Sequence, residues 1–469
     1  MRKNNNTIKS LVCLFLSLIT FLFFQGNLFG QEKDNLVFLT MEETISKALT
    51  NNNKIKASEF SLDKANWDVK RAWTQLLPTL SFNTNYTWID DSTFAERDFR
   101  RYLPPELAKQ IPQTVFQNMF FSSFDVSVPV FNGALINGIS IANEQENMTF
   151  KFLESTRHQI IFGVISTYLN VLKNKEIVKL RKDNLNLSTL NYEKAERMYK
   201  ANRYSQNEAL RWKIDMQQQK GLLVNSESNF RSELLALSRL INIHIPKEAR
   251  FEEEIPQELV DNLNRLMQMT ENEILDFTNI SSEKLIEVNA SLSAAKSSEE
   301  VTRLLHKNSY ASYLPDISLS YSYGWRANNS IDLDDYSPKT LMVDFRLPIF
   351  TGFKNYTNLK STYFEYRRSE EELKDQILNT KLLLNDVANR IINLKTQQEL
   401  SKFNVEYSTN NYRMVEQQRE RGLISNIDLI DAKLNLQNAK LVEITTYYDL
   451  IIGMVEFYYL TGKVDVFAK

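Results

Sequence analysis

The sequence is poor in the residues that interrupt or cross-link a chain. Its 469 residues hold eleven glycines, ten prolines and one cysteine. Glycine and proline together make up roughly 12% of an average protein, and a shortage of both favours long uninterrupted helices. The lone Cys13 lies inside an apolar run near the N-terminus, so disulfides and thiolate metal centres are excluded. Because Cys13 does not follow that run, it is also badly placed to carry a lipid. Lys and Arg number 56 against 58 Asp and Glu, so no basic excess marks a nucleic-acid partner. His158, His244 and His306 are far apart, and neither an HExxH pair nor a Gly-rich phosphate cradle is present. No enzyme activity, metal or cofactor is expected. After residue 30 no apolar run is long enough for a membrane-spanning helix. A chain of this kind enters a bilayer only as strands.

The first 30 residues have the layout of a secretory signal: Arg2, Lys3 and Lys9, an apolar run from Leu11 to Phe24, then Gly30 as the small residue before cleavage. Beyond it, four stretches alternate with period two. Leu80, Phe82, Tyr86 and Trp88 share one face, with Ser81, Asn83, Asn85 and Thr87 on the other. Phe120, Phe124, Val126, Val128 and Val130 oppose Ser123, Asp125 and Ser127. Ile317, Leu319, Tyr321, Tyr323 and Trp325 oppose Ser318, Ser320 and Ser322. The fourth stretch sets Leu341, Val343, Phe345, Leu347 and Ile349 against Asp344 and Arg346. A half-buried soluble sheet also alternates, but a large aromatic face against a small hydrated one, over about ten residues, is the pattern of a lipid-facing barrel. Tyr86, Trp88, Tyr323 and Trp325 at one end, and Phe131 and Phe350 at the other, suit the two membrane interfaces. Segments 89–119 and 326–340 read as surface loops.

After each pair of strands the pattern turns helical. Residues 133–200 and 352–420 contain no proline, and each stretch corresponds to roughly 100 Å of helix. In the second, Tyr356, Leu359, Tyr363, Tyr366, Leu373, Ile377, Leu384, Val387, Ile391 and Leu394 follow the three–four spacing of a coiled-coil seam. Both stretches then reach a turn. Asn202 aligns with Gly422 and Ser205 with Ser425; Asn and Gly tolerate the left-handed backbone that ends a helix. Ser205 with Glu208, and Ser425 with Asp428, have the spacing of a capping box opening the next helix. The chain is thus two repeats, each a helix, a strand hairpin, a long helix, a tight turn and a returning helix. The expected division is signal 1–30, N-terminal helices 31–76, membrane hairpin 77–131, long and returning helices 132–242 and a connector 243–280. The second repeat follows with a helix at 281–313, a hairpin at 314–350, long and returning helices at 351–462 and a tail at 463–469.

Four strands cannot close a membrane barrel. Two copies give eight strands and a filled interior, whereas three give twelve and room for a water-filled lumen. Leu-Pro precedes a strand at Leu77-Pro78 and again at Leu314-Pro315, Pro-x-Phe-x-Gly leaves one at Pro129–Gly133 and Pro348–Gly352, and "RGLISNIDLIDAK" occupies residues 421–433. In these motifs, doubled and in order, the chain resembles the TolC-like outer-membrane efflux family over nearly its whole mature length. The resemblance implies a mainly α fold with a membrane β-barrel segment. A homotrimer would form a 12-stranded β-barrel continued by a periplasmic α-helical barrel. It implies an exit duct in the outer membrane, in contact with outer-membrane lipid, that works with a periplasmic adaptor protein and an inner-membrane transporter. A passive porin explains the strands but not the helices, and a secreted coiled-coil scaffold explains the helices but not the strands.

The same resemblance points to the turns as periplasmic entrance and adaptor-docking tips. Asn202, Ser205, Gly422, Leu423 and Ser425 are the docking candidates, and Glu208, Arg211, Asp428 and Asp431 the entrance candidates. Glu208 and Asp428 also read simply as helix caps. Arg211 in one repeat stands where the other has Asp431, so a pair of opposite charge between adjacent turns is expected. Asp125 and Asp344 hold equivalent places on the polar strand faces. They are candidates for an acidic ring in the lumen, or else ordinary polar-in patterning.

Overall fold

The computed structural model describes residues 38–246, 249–252, 255–327 and 338–468. The expected signal segment and the centre of the 326–340 loop lie outside the described residues. In chain order the elements are β1 (Phe38–Leu39), α1 (Met41–Asn51), α2 (Asn53–Thr74) and β2 (Thr79–Trp88). Two short helices, α3 (Asp91–Arg97) and α4 (Pro105–Ala108), precede β3 (Asn118–Phe131). The first long helix is α5 (Gly133–Lys200), with α6 (Gln206–Ile241) returning. Short elements follow: β4 (Arg250–Phe251), α7 (Gln257–Gln268), α8 (Glu271–Asp276) and α9 (Ser282–Val288). The second repeat contains α10 (Ala290–Ser309), β5 (Asp316–Ala327), β6 (Lys339–Arg346), α11 (Lys354–Glu420) and α12 (Asn426–Leu460).

The two long helices have the expected bounds to within a residue or two. Asn132 caps α5 by accepting the Leu135 N–H at 3.0 Å. α11 has no side-chain cap, and follows Gly352 and Phe353, whose φ values are +60° and +63°. α5 packs along α6 and α11 along α12, and α10 lies against both long helices. The core sits midway along the helices. Val164, Ile165, Leu169 and Leu172 of α5 meet Leu384, Val387 and Ile391 of α11 and Leu450, Ile451 and Val455 of α12, all almost fully buried. Burying each such side chain stabilises by about 1.5–3 kcal/mol. The expected seam on α11 is buried at Leu373, Leu384, Val387 and Ile391, whereas Tyr356 and Tyr363 are exposed. There α10 and the turn after it meet α11 through polar groups instead. Thr302 bonds Ser369 at 2.5 Å, His306 bonds Thr362 at 3.2 Å, and Asn355 donates to the Ser312 carbonyl at 2.7 Å.

The four long strands form one antiparallel sheet in the order β2-β3-β5-β6. β3 runs for 14 residues and β6 for 8, against the expected ten or so. The fourth strand was expected to reach Phe350 but ends at Arg346, because Pro348 has no N–H to donate and restricts the residue before it. Its counterpart Pro129 is kept inside β3, where the register shifts between Pro129 and Phe131. The segment expected as a plain loop between β2 and β3 holds α3, α4 and a 3-10 turn at Phe99–Tyr102. Asp90 starts α3 by accepting the Ser92 and Thr93 N–H groups. A single chain leaves the sheet open, with β2 and β6 as its edges.

Near the turns, the two helix pairs are keyed together by polar groups. The Lys433 ammonium of α12 bonds Asp215 of α6 and, at 2.7 Å, the Ser188 hydroxyl of α5. It also lies 5.5 Å from the centre of the Trp212 ring. Lys433 and Asp215 are 2% and 4% exposed, so burial pushes the lysine pKa down while the Asp215 bond opposes the shift. One turn further along each helix, Gln219 donates to Gln437 at 3.2 Å. Losing one partner of such a buried pair strands the other charge, whereas replacing both with apolar side chains removes both desolvation penalties. Asp215→Ala is expected to lower stability by roughly 3–5 kcal/mol, and the Asp215→Leu/Lys433→Met double substitution to be neutral or stabilising. Thermal unfolding of the purified protein, followed by helical circular dichroism, checks both.

Candidate functional site

The sheet register sorts the strands into two faces. Phe82 faces Phe124, Phe124 faces Tyr323, Val126 faces Tyr321, and Tyr321 faces Leu341. The rings of Phe82 and Phe124 lie 5.0 Å apart and those of Tyr323 and Trp325 4.6 Å apart. On this face Leu80, Phe82, Tyr86, Trp88, Val343 and Phe345 are all more than half exposed. Apolar side chains of this size, continuous across four strands and uncovered by protein, are what a hydrocarbon solvent accepts. On the opposite face, Ser81 pairs with Asp125, Asp125 with Ser322, Ser127 with Ser320 and Ser318 with Asp344.

Both acidic candidates therefore stand on the polar face. Asp125 accepts hydrogen bonds from Asn83 and Ser123, each at 2.7 Å. Asp344 pairs with Ser318, four residues along β5 from the partner of Asp125. That offset is about 13 Å at roughly 3.3 Å per residue, so the two carboxylates are not neighbours within one chain. The polar face also carries an apolar patch that strict alternation does not announce. Phe121 lies on it with its ring over Gly324, 3.3 Å from where a Cβ would stand. Gly324 is the residue that leaves room for the ring. Arg326 next to it reaches the Met119 sulfur at 3.4 Å.

At the far end of the helices both turns take the expected backbone. Asn202 has φ +56° and Gly422 φ +75°. Both capping boxes are formed. The Glu208 carboxylate accepts the Ser205 N–H at 3.1 Å, and the Asp428 carboxylate accepts the Ser425 N–H at 3.0 Å. The Ser425 hydroxyl and backbone bonds hold the Asp428 carboxyl below its ordinary pKa. Glu208 does more than cap. It accepts from Asn426 at 2.9 Å and from Arg419 at 3.3 Å, which ties the first turn to the second within one chain. Arg419 also donates to Asn426 at 2.6 Å and sits 5.1 Å from the Tyr204 ring centre.

Arg419, Asn426 and Tyr204 were not among the sequence candidates, although "SNIDLIDAK" contains Asn426. Arg211 and Asp431 are exposed on α6 and α12, and within one chain the structure does not bring them together. Leu423, at the second turn, is 69% exposed, an apolar residue presented to solvent.

Among the described residues no group of three or more His, Cys, Asp or Glu side chains could hold a metal ion. His158 instead pairs with Asp465 at 2.8 Å, which joins α5 to the C-terminal turn.

Comparison with known proteins adds to this geometry. Residues 282–463 match the model of the outer membrane efflux protein family. No curated protein matches by sequence. Among solved structures, the chain is similar to CusC, a protein studied for its folding and transmembrane channel formation, with a TM-score of 0.76 and 14% identity over 93% of this chain and 95% of that one. It is similar to the Campylobacter jejuni outer membrane channel CmeC, with a TM-score of 0.74 and 15% identity over 90% and 85%. It is also similar to the open state of the Neisseria gonorrhoeae outer membrane channel MtrE, with a TM-score of 0.71 and 15% identity over 90% and 88%. The structural likeness extends to both repeats, including the first, which the family match does not reach. Residues 282–463 are therefore similar to the outer membrane efflux protein family, and the chain as a whole has the fold of the solved outer membrane channels CusC, CmeC and MtrE.

Proposed function

We propose that three copies of this chain close a 12-stranded barrel in the outer membrane and continue it as a helical tube through the periplasm. The assembly is the exit duct for a periplasmic adaptor protein and an inner-membrane transporter. The observation that carries this reading is the open sheet: a lipid-type face on one side, a polar face on the other, and two unpaired edges. Exposed stripes on the helices support it. On α11, Leu400, Phe403, Tyr407 and Met414 keep heptad spacing and are each more than half exposed. On α6, Leu210, Ile214, Val224 and Leu235 form a second exposed stripe. Two different stripes on one chain are suited to a head-to-tail contact, and head-to-tail contacts close into rings.

In this assembly the polar strand faces line the outer lumen, and Asp125 and Asp344 supply six carboxylates to it. The turns form the periplasmic end. Asn202, Ser205, Gly422, Leu423 and Ser425 meet the adaptor, while Glu208 and Asp428 shape the helix starts around the entrance. Arg211 and Asp431, apart within one chain, face each other between adjacent turns of neighbouring copies. An exposed pair is worth about 0–1 kcal/mol, so three of them bias the entrance toward closure and leave it able to open.

Planar-bilayer recording tests the lumen and the entrance separately. The wild-type protein should form ion-conducting channels, and their absence would count against the duct. Asp125→Asn with Asp344→Asn should reduce preference for cations, and unchanged selectivity would leave these residues as plain polar-face positions. Arg211→Ala or Asp431→Ala should raise single-channel conductance, with the Arg211→Asp/Asp431→Arg exchange restoring it. An exchange that conducts like the single variants would show that the two charges do not pair.

A further inference from the structure

A cavity of about 460 Å³ lies where the short helices α7–α9 meet α11 and α12, far from both the strand face and the turns. Most of its lining is apolar. Ile274 of α8, Ile391 of α11 and Met454 of α12 are buried in the wall, and Met269 and Phe457 are among its other apolar side chains. Two of these five are methionines, whose flexible side chains adapt to irregular ligands. The C-terminal turn fixes one border. Gly462 has φ +71° and lies so close to Val288 that a Cβ there would fall 1.8 Å from the Val288 carbonyl oxygen. Asn289 donates to the Leu460 carbonyl at 2.9 Å beside it.

The charged groups in the lining are unbalanced. Arg265, Lys284 and Lys463 are exposed there with a single carboxylate, Asp276. Among the described residues none of these four side chains forms an ion pair. The whole chain has a formal charge of −2, so three unpaired cations around one apolar cavity are a local feature. The volume falls within the roughly 300–1,000 Å³ of small-molecule sites. Helices of this same chain wall it on both sides, which suits a small ligand better than a docking helix.

We infer that this cavity binds a single-chain amphipathic anion, with the hydrocarbon against Met269, Met454 and Phe457 and the headgroup among Arg265, Lys284 and Lys463. A neutral chain of the same length gains the apolar contact but leaves the cations unpaired, and a cationic one is repelled by them. Carboxylate and phosphate headgroups share the required chemistry.

Equilibrium dialysis of radiolabelled decanoate, decyl phosphate, decanol and decylamine tests the inference. The full-length protein is held in an amphipathic polymer, so that no free detergent competes. At least one of the two anions should saturate at one molecule per chain, with decanol about tenfold weaker and decylamine not saturable. Comparing the two anions identifies the headgroup, and tighter binding of either than of decanol supports the site. Arg265→Gln/Lys284→Gln/Lys463→Gln alters only exposed side chains and should bring anion binding down to the level of decanol. Met454→Trp, which fills the cavity, should remove the saturable binding. Equal binding of anions and decanol, an unchanged affinity in the triple variant, or anion binding only to dissociated single chains would each overturn the inference. The last result would assign the cavity to a neighbouring copy.

Discussion

A backbone amide or carbonyl at the edge of a sheet has no water to bond to inside a bilayer, and leaving one unpaired costs several kcal/mol. β2 and β6 are both edges, and their outward faces carry Phe82, Trp88, Val343 and Phe345. The faces call for hydrocarbon around the sheet, and the edges call for further strands beside it. The proposed closure with other copies meets both demands together. The rest of the architecture agrees with that requirement: stripes left uncovered on α6 and α11, and long helices that continue the strands as a second, helical wall.

The helical part is held together differently along its length. Its middle is fastened by an apolar core running from α1 to α12. Toward the turns a smaller apolar cluster of Ala195, Trp212 and Leu429 is joined by polar contacts between the two helix pairs: Lys433 with Asp215 and Ser188, Gln219 with Gln437, and Glu208 with Arg419 and Asn426. An apolar seam tolerates sliding by a turn, whereas a buried ion pair fits in one register only. The polar keys thus set how the pairs align while adding less adhesion than an equal area of leucine. The wall is thus held by apolar packing at its middle and set in one register by polar keys near its tips.

Much of this fold is legible in the sequence because its signals are local. Period-two alternation and the Ser-x-x-Glu and Ser-x-x-Asp caps depend on neighbours within a few residues and recur in the structure, and the heptad seam does so from Leu373 onward. Features that depend on distant partners are not legible in the same way. The two Pro-x-Phe-x-Gly motifs read alike, yet Pro129 lies within an inner strand at a register shift and Pro348 lies beyond the end of an edge strand. Lys433 reads as a solvated lysine until Asp215, 218 residues away, is placed against it. Arg419 and Asn426 emerge as linkers only when the two turns meet. Phe121 breaks the polar face because Gly324 on another strand makes room for it.

Closure by three copies is tested most directly by cross-linking the two sheet edges. With Cys13 in the expected signal segment, the mature chain offers a background free of cysteine. Asn85→Cys on the polar face of β2 is combined in turn with Thr340→Cys, Met342→Cys or Asp344→Cys on the polar face of β6, and the membrane-embedded protein is oxidised. Only neighbouring strands bring Cβ atoms within the roughly 3.5–4.5 Å that a disulfide requires. The account predicts that one of these combinations gives a ladder of one, two and three chains that stops at three. A ladder that stops at two, one that continues past three, or a bond formed only within single chains would contradict it.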